Sequence, residues 1–540
     1  MPRFCQGPHR CFACVTVAPD PARLAATKAR AALMRETRRG RRDKAGTVIP
    51  QLPWEQVRNR YPPMALLDEQ QMQDLHDTSI RILKELGIKV MGANARAYFA
   101  GAGALVDDES GIVRIDGDLV AAALFTVPRQ FTLTPRNPDR RVTIGGNHLV
   151  FGLVAGPPNV HDMVNGRRAG NLADYQNFIR LAHHFNAIHM IGNQVTAPQE
   201  LPANSRHLDT YFANLTLSDL TYHCTAIGRG RALDGIRMMA ISRGITLEEI
   251  ASDPGVTTII SVNSPRLLDD AMGDGLIAMA ELGQPVTITP FTLMGAMTPV
   301  SLPAALAQQN AEALFGVVLT QLVRPGTPVM YGAFTSNVDM RSGAPAFGTP
   351  ENTKANVIAG QLARRYDLPY RTSNANASNA VDLQAAYETT MATWGAVIGG
   401  ANLIYHAAGW LEGGLTASFE KLILDVEILQ NMIEFLRPIT WNAEELGFDA
   451  IRDVPAGGHF FGAAHTMARY EHAFYQPMLS DWRGYENWEL AGAHDATRRA
   501  TSLWQQALTE YREPVMDPAV REELEAYVAM RRKEIGDGEP

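Results

Sequence analysis

The chain contains 540 residues, of which 46% are hydrophobic, and its formal net charge is −8. This length and composition are typical of a large globular protein with one big domain and extensions, or with two to three domains. The charge is uneven, because residues 1–44 hold eleven Lys or Arg against three Asp or Glu, which leaves the remainder acidic. An acidic body lacks the basic face that binds nucleic acid, and no apolar run approaches the roughly 20 residues of a membrane helix.

The first 47 residues are rich in Pro, Arg and Ala and contain few large apolar side chains. This composition predicts a disordered basic arm over residues 1–47, since such a segment buries too little apolar surface to fold. Met34 is an alternative start, in which case residues 1–33 do not belong to the natural protein.

Three of the four cysteines, Cys5, Cys11 and Cys14, lie in this arm, and only Cys224 lies in the body. The body therefore has no internal disulfide, which indicates a reducing compartment, and we predict a cytoplasmic location. A zinc site in the arm is the alternative, but a lone C-x-x-C lacks a second ligand pair. We therefore predict no bound metal.

Residues 48–148 show a helical pattern followed by short β patterns. Apolar residues recur at helical spacing from Met72 to Leu86, and Gly87 follows as a C-cap. We expect an α+β extension at the N-terminus.

From residue 149 short apolar runs alternate with amphipathic helical patterns. The strand-like runs are LVFGLVA (149–155), AIHMIGNQV (187–195), LTYHCTAIG (220–228), TTIISVNS (257–264), PVTITPFT (285–292), PVMYGAFT (328–335), YRTSNANA (370–377) and NLIYHAAGW (402–410). Helix starts are predicted at Ser264-Pro265, Thr349-Pro350, Asp382 and Ser418. Eight strand and helix pairs predict an α/β fold, a (β/α)8 TIM barrel over residues 149–437, with a C-terminal helical extension over 438–540 packing on it.

A doubly wound sheet is the alternative architecture. It predicts a glycine-rich turn after its first strand, and the sequence contains neither G-x-G-x-x-G nor the phosphate-binding G-x-x-x-x-G-K-[ST]. The usual Rossmann nucleotide sites are therefore disfavoured.

The segment LPYRTSNANASNAVDLQAAYE (368–388) places Asn374 and Asn376 at the end of the seventh predicted strand. Catalytic groups of such barrels lie at the carboxyl ends of the strands, so these amides are predicted to face the mouth. The alternative is turn chemistry, because asparagine tolerates left-handed backbone and caps helices.

The other strand ends are rich in aromatic residues and poor in charges. None of the eight runs contains a lysine or an acid, which disfavours a Schiff-base aldolase and a retaining glycosidase. H-E-x-x-H is also missing. A neutral aromatic pocket suits a quaternary ammonium ion through cation–π contacts, although each aromatic is equally compatible with the barrel core.

Long blocks of the sequence carry a family resemblance. They are QNAEALFGVVLTQLVRPGTPVMYGAFTSNVDMRSGAPAFGTPE (309–351), NLIYHAAGWLEGGLTASFEKLILDVEIL (402–429), and AGGHFFGAAHT with ENWELAGAHD (456–495). With these blocks the chain resembles the trimethylamine methyltransferase family of corrinoid-dependent enzymes from about Leu67 onward. The resemblance implies a (β/α)8 barrel, in agreement with the strand count.

The catalytic residue of the archaeal trimethylamine enzymes is pyrrolysine, and the resemblance places its position on Ala375. An ordinary alanine groups the chain with the non-pyrrolysine members, which resemble glycine betaine methyltransferase, and leaves no catalytic residue assigned. The implied reaction moves a methyl group from a quaternary amine to Co(I) of a separate cognate corrinoid protein, without a metal bound by this chain.

The resemblance and the strand ends together give candidate residues. Substrate contacts are predicted at Asn374, Asn376, His406, Phe291, Tyr331, Phe334 and Trp410, and contacts to the corrinoid at His459 and His465. The family also implies a homo-oligomer. Two alternatives stay open: a protein that binds or senses quaternary amines without catalysis, and a barrel lyase that works without corrinoid.

Overall fold

The computed structural model describes residues 49–536, and the chain divides into a unit of residues 1–50 and a unit of residues 51–540. The predicted arm over residues 1–47, with its cysteines, lies outside the described residues. The account below concerns the larger unit. Within residues 49–536, no helix combines the length and the apolar character that crossing a membrane demands.

Eight parallel strands form a closed barrel, as the sequence predicts. The strands are β1 (His148–Leu153), β2 (Met190–Ile191), β3 (Thr221–His223), β4 (Val256–Ile260), β5 (Val286–Ile288), β6 (Val329–Gly332), β7 (Tyr370–Ser373) and β8 (Leu403–Ala408). They pair in sequence order, and β8 pairs with β1 to close the ring. Each of the eight predicted runs overlaps one of these strands, although β1 and β4 begin one residue before their runs, at His148 and Val256. Val57–Arg58 adds an antiparallel strand to β1.

A helix follows each strand. The helices are α1 (Leu172–His184), α2 (Arg206–Leu217), α3 (Arg229–Arg243), α4 (Asp270–Glu281), α5 (Leu302–Val323), α6 (Pro350–Arg365), α7 (Leu383–Ile398) and α8 (Phe419–Leu436), with the short helix Leu247–Ile250 after α3. Thr349, Asp382 and Ser418 cap α6, α7 and α8 through their side chains, as predicted. The helix start at Ser264-Pro265 is wrong, because the carboxylate of Asp269 accepts from Met272 and caps α4.

Strand pairing divides the side chains between the barrel interior and the helices. Val150 of β1 pairs with Leu403 of β8, and Met190, Met330 and Leu403 share one apolar cluster with Val150. Because side chains alternate along a strand, residues in register with these point into the barrel. The lower interior is therefore apolar.

A hairpin closes the amino-terminal end of the barrel. Its strands, Gln130–Leu133 and Val142–Gly145, pair antiparallel. Its buried apolar side chains join the barrel cluster: Phe131, Leu133, Val142 and Ile144. A ligand consequently reaches the interior from the carboxyl ends of the strands.

The N-terminal extension mixes helices and short strands. Glu69–Arg81 begins with a capping box at Asp68 and continues into a π-helical turn, Ile82–Leu86, that ends at Gly87. The other helices of the extension are Ala93–Gly101, Gly117–Thr126 and the 3₁₀ turn Pro138–Arg140. Its strands are Ile88–Val90, Leu105–Asp107 and Ile112–Arg114, and they form a sheet with Leu267–Leu268. Glu69–Arg81 and Gly117–Thr126 pack on α5, which explains why that helix is buried along most of its length.

Two small sheets lie beyond the carboxyl ends of the strands. One joins Phe291–Met294, Phe334–Val338 and Pro345–Ala346, from the loops after β5 and β6. The other joins Trp410–Leu411, Thr416–Ser418, Asn159–Asp162 and Gly166–Ala169, from the loops after β8 and β1, with the 3₁₀ turn Glu412–Gly414 between the first two. Both sheets hold loops in place around the mouth of the barrel.

The C-terminal extension ends in two long helices, Ala496–Glu510 and Pro518–Ile535. The first packs on α1 and α8, and the second packs on α2 and α3. Asp234 fixes the last helix, since its carboxylate accepts from Tyr527 and Arg531, each at 2.7 Å. Four short helices precede them: Ala443–Leu446, Phe448–Arg452, Ala464–Arg469 and Tyr485–Leu490.

Candidate functional site

An irregularity in β8 sets the geometry of the mouth. The pairing of β8 with β1 shifts register between Ile404 and Ala408, and His406 within it has a φ of 55°. A non-glycine residue in the left-handed region is uncommon and marks a locally constrained backbone. The bulge brings the rings of Tyr405 and His406 to the same side, with centroids 4.5 Å apart, although consecutive residues of a regular strand point to opposite faces.

Five rings from β8 and from the loops after β5, β6 and β8 meet at this mouth, and we call them the aromatic cluster: Phe291, Phe334, Phe347, His406 and Trp410. His406 and Trp410 lie 4.3 Å apart between ring centroids, and Phe334 lies 5.7 Å from His406 and 6.0 Å from Trp410. Phe291 is half-buried, and the other four rings are buried. The cluster forms an apolar wall with π faces and no formal charge of its own.

The small sheet after β5 and β6 places three of these rings. Phe291 and Phe334 are partners in its parallel register, so their rings lie 5.1 Å apart. Phe347 follows the strand Pro345–Ala346 and stacks on Phe334 at 5.1 Å. Backbone pairing of two loops therefore fixes the phenylalanine side of the cluster.

Asn374 and Asn376 lie at the end of β7 and hold the loop after β8. The Nδ2 of Asn374 donates to the carbonyl of Ala407 at 3.1 Å, and that of Asn376 donates to the carbonyl of Trp410 at 2.9 Å. Trp410 returns a bond, because its Nε1 donates to the carbonyl of Asn376 at 3.2 Å. Both amide oxygens are buried with no hydrogen-bond partner among residues 49–536. Ala375, between them, is also buried.

A buried ion pair supports this arrangement from behind. The ammonium of Lys421 pairs with Asp425, both fully buried, and donates to Thr389 Oγ1 at 2.7 Å. Thr389 Oγ1 also accepts from Asn376, and Asp425 accepts from the backbone N–H of Gly409 at 2.8 Å. Burial lowers the pKa of Lys421 and raises that of Asp425, while each partner opposes the other's shift. The ion pair thus anchors Asn376, through Thr389, and Gly409, which both flank the aromatic cluster.

Below the cluster the barrel interior turns polar, and we call this region the polar interior: His223, Thr287, Thr289 and Arg371. Arg371 of β7 is 1% exposed, and its Nε and Nη1 have no hydrogen-bond partner in the described part of the chain. The same holds for Thr287 Oγ1 and Thr289 Oγ1, and His223 makes no well-formed hydrogen bond through its ring. Buried polar atoms are normally paired, so this concentration of unpaired atoms indicates a place for a ligand or water.

The ionisable groups here hold one charge state around neutral pH. Burial lowers the pKa of His223 to about 3, with a further contribution from Arg371. Burial, followed by Arg371 and then His223, holds the pKa of His406 well below its usual value. Burial also lowers the pKa of Arg371, but only to about 10. Both histidines are therefore neutral, and the arginine is cationic.

The structure does not bring all predicted site residues together. Phe291, Phe334, His406 and Trp410 meet in the aromatic cluster, with Asn374 and Asn376 beside it. Tyr331 lies elsewhere, because it alternates with the inward Met330 and points outward, where its Oη donates to Asn310 of α5 at 2.9 Å. The prediction that Tyr331 contacts the substrate is therefore wrong, because its side chain faces the helices and not the barrel interior.

The two C-terminal histidines lie in the extension outside the barrel. His459 is exposed, and His465 is half-buried in the short helix Ala464–Arg469. No contact joins either ring to the aromatic cluster within the described residues. Their contact with a corrinoid stays a prediction. Residues 49–536 hold no group of three or more Cys, His, Asp or Glu placed to bind a metal ion.

Sequence reasoning missed Phe347 and Arg371. Phe347 does not end a barrel strand, so only the pairing of the loops reveals its position. Arg371 carried a signal, because the run YRTSNANA contains an arginine in a segment that was otherwise predicted to be buried. Fully buried arginines without a partner are rare, so a charge inside a strand of this kind points to a site.

Replacing Lys421 with Met should lower the free energy of unfolding by about 3–5 kcal/mol, because Asp425 is left buried without its counter-charge. Chemical denaturation of the purified protein measures the change. The matched control is Arg81→Met, which breaks an exposed pair of the same i,i+4 spacing with Glu85 and should leave the unfolding midpoint unchanged. Equal midpoints for both variants would refute the anchoring role.

Stability should fall between pH 7.5 and pH 5 because buried histidines resist protonation. Burial lowers the pKa of His189 to about 4 and that of His223 to about 3, whereas unfolded histidine titrates near 6.5. Burial of the neutral imidazole contributes its full stabilisation of the folded state above pH ~6.5. This stabilisation is lost as the pH falls toward the pKa values of the folded state, by about 2 kcal/mol per histidine at pH 5. Denaturation at both pH values measures the loss. His223→Gln should reduce it by about one histidine's share, and a flat profile contradicts the expectation.

Comparison with known proteins gives the family. The family described as Trimethylamine methyltransferase (MTTB) matches residues 34–536. A glycine betaine methyltransferase of Desulfitobacterium hafniense (strain Y51) is 35% identical over 477 residues, covering 88% of this chain and 99% of the relative. A proline betaine:corrinoid methyltransferase of Eubacterium limosum is 28% identical over 417 residues, covering 74% and 84%.

A trimethylamine methyltransferase of Desulfitobacterium hafniense (strain DSM 10664 / DCB-2) is 26% identical over 476 residues, covering 88% of this chain and 95% of the relative. Among solved structures, the monomethylamine methyltransferase of Methanosarcina barkeri aligns at 10% identity with a TM-score of 0.46, covering 85% of this chain and 97% of that one. The family match spans the whole described structure. The chain therefore belongs to the trimethylamine methyltransferase family.

Proposed function

We propose that this chain transfers a methyl group from a quaternary amine, glycine betaine foremost, to Co(I) of a separate corrinoid protein. The observation that carries the proposal is the aromatic cluster, a neutral wall of rings at the mouth of the barrel. Relatives named for glycine betaine and for proline betaine support the substrate class, as does Ala375 at the position that the resemblance gives to pyrrolysine.

The cluster suits a permanent cation whose charge disappears during the reaction. Cation–π contacts stabilise an ammonium by roughly 0.5–2 kcal/mol each, which is enough to hold it without a carboxylate. Two acids close to Trp410 in the sequence are already engaged, Glu412 by Arg167 and Asp425 by Lys421. A free carboxylate would bind the ground-state ammonium more strongly than the transition state and would slow methyl transfer.

The chemistry requires no proton transfer from this chain. The partner's Co(I) supplies the electron pair for the new Co–C bond, and the C–N pair stays on the departing neutral tertiary amine. The residues of this chain bind and orient the donor, which is a positioning contribution. Because His223 and His406 are neutral near pH 7, no acid or base of the mouth changes state in the working range.

The free amide oxygens complement the cationic end of the substrate. The nitrogens of Asn374 and Asn376 already donate to the carbonyls of Ala407 and Trp410, whereas their oxygens have no hydrogen-bond partner among residues 49–536. An oxygen carries partial negative charge, so it attracts the polarised methyl groups of an ammonium. We therefore assign these oxygens to the methylammonium end.

Formation of methylcobalamin from glycine betaine and Co(I) cobalamin tests the proposal. Trp410→Leu should lower kcat/KM by about 10- to 100-fold, since a loss of ~1.4–2.7 kcal/mol of binding corresponds to that factor. Phe125→Ala, at a residue 92% exposed, is the control and should leave the rate unchanged. Binding of glycine betaine without turnover would instead favour a sensing protein, and a product formed without cobalamin would favour a lyase.

We also propose a cytoplasmic homo-oligomer, held together by the segment 438–490 of the C-terminal extension. The four short helices of this segment contain no buried residue. Large apolar side chains on the segment are more than two-thirds exposed: Ile439, Trp441, Phe448, Phe461, Phe474, Trp482 and Leu490. Short helices gain stability mainly from tertiary packing. The exposed apolar side chains of this segment therefore need a partner surface that stays bound to them. A second copy of the chain provides one, because it carries the same exposed apolar side chains.

Light scattering on the purified protein should therefore give a mass that is a multiple of 59.1 kDa. The double variant Trp441→Ser, Phe461→Ser should shift it toward the single chain, because it removes two of the most exposed apolar anchors. The matched control, Phe125→Ala, removes an equally exposed ring outside the segment. A monomeric wild type, or an unchanged mass in the double variant, would count against this interface.

A further inference from the structure

The barrel interior holds an arginine that forms no ion pair with an acid among residues 49–536. Arg371 is 1% exposed, and the groups that act on its pKa electrostatically are the rings of Tyr405 and Tyr370 rather than a carboxylate. A buried charge costs several kcal/mol unless it is paired, and a structural arginine normally has its partner in the fold. The missing partner is therefore expected from outside the chain.

We propose that Arg371 is the carboxylate-binding residue of the substrate site, and that it restricts the site to zwitterionic amines. This inference rests on the proposed function and deepens it. The Nε and Nη1 of the guanidinium have no hydrogen-bond partner among residues 49–536, so both its side edge and its end have a donor left for a carboxylate, which binds a guanidinium through paired N–H groups.

The neighbouring strands place further polar groups at the level of the guanidinium. Gly332 of β6 is the register partner of Arg371, and the Thr289 side chain occupies the space that a side chain at Gly332 would take. Thr287 of β5 and His223 of β3 point into the same interior, and the threonine hydroxyl is buried with no hydrogen-bond partner in the part of the chain that the structure describes. A hydroxyl and a neutral imidazole can each donate one more hydrogen bond to a carboxylate.

The position of the arginine relative to the aromatic cluster limits the distance between the carboxylate and the ammonium of the substrate. The guanidinium carbon lies 5.7 Å from the centroid of Phe334, which itself belongs to the cluster. The carboxylate and ammonium of one ligand must therefore lie close together. N-methylated α-amino acids, in which one carbon separates these groups, fit better than betaines with longer chains.

Charge decides between a zwitterion and a simple cation. A quaternary ammonium without a carboxylate would enter a buried site that already carries the positive charge of Arg371, and like charges at low dielectric repel. A betaine brings its own anion, which lies against the arginine while its cation lies against the rings. The arginine thus attracts glycine betaine and opposes choline and tetramethylammonium.

Calorimetric binding and methylcobalamin formation with the full-length protein test this assignment. The wild type should bind glycine betaine at least tenfold more tightly than choline or γ-butyrobetaine. Arg371→Met should weaken glycine betaine binding by 100-fold or more and should bind choline at least as well as the wild type does. Arg371→Lys should recover part of the glycine betaine affinity, because it restores the charge without the paired donors.

Stability separates this role from a structural one. Arg371→Met should keep or raise the melting temperature of the ligand-free protein, since it removes an unpaired buried charge. Arg364→Met is the matched control: that arginine, of α6, donates to the carbonyls of Gly399 and Met64, so its loss should destabilise without changing ligand preference. A lower melting temperature together with equal losses for all ligands in Arg371→Met would overturn the proposal.

The outcomes also separate the two proposals. Methyl transfer from glycine betaine that is equally fast in Arg371→Met overturns the carboxylate site and leaves the proposed function standing. In a second outcome, the wild type binds glycine betaine in a way that depends on Arg371 and yet forms no methylcobalamin. That outcome overturns the proposed function and leaves the carboxylate site standing. A wild type that binds choline as tightly as glycine betaine overturns the assignment of Arg371.

Discussion

The closure of the barrel between β8 and β1 governs the rest of the site. A regular strand would send Tyr405 and His406 to opposite faces, so only one of them could serve the interior. The register shift and the left-handed backbone at His406 turn both rings toward the mouth. Tyr405 then lies 4.3 Å from His223 and 5.0 Å from the guanidinium of Arg371, while His406 reaches Trp410. One bulge thus joins the polar interior to the aromatic cluster.

A buried ion pair and a glycine support the constrained backbone from outside the aromatic cluster. Lys421 and Asp425 are buried together and reach Gly409 and Thr389, which lie directly behind the loops that carry Trp410 and Asn376. A glycine assists them: Gly414 has a φ of 101°, and a Cβ there would lie 2.5 Å from the ring of Trp410. The indole is therefore held by backbone, hydrogen bonds and close packing together. Such support gives a binding group the fixed position that a positioning enzyme requires.

The vertical order of the barrel suits the betaine that we propose as its substrate. Apolar side chains and the hairpin seal the amino-terminal end, unpaired donors come next, and neutral rings and amide oxygens line the mouth. A carboxylate placed on Arg371 would leave the methylammonium end uppermost, on the side from which an external methyl acceptor approaches. The rings and amides of the mouth carry no formal charge of their own, which suits a methyl donor that loses its positive charge during transfer.

Sequence periodicity alone determined the architecture, because strand and helix patterns, proline-led helix starts and cap residues are local signals. It also located Asn374, His406, Phe334 and Trp410, since the carboxyl ends of barrel strands share one face. Tertiary structure decided the rest. The outward side of Tyr331 depends on its pairing register, the place of Phe347 depends on the pairing of two loops, and the isolation of Arg371 depends on which groups surround it. Pairing and burial join residues far apart in the chain, so no local pattern of residues encodes them.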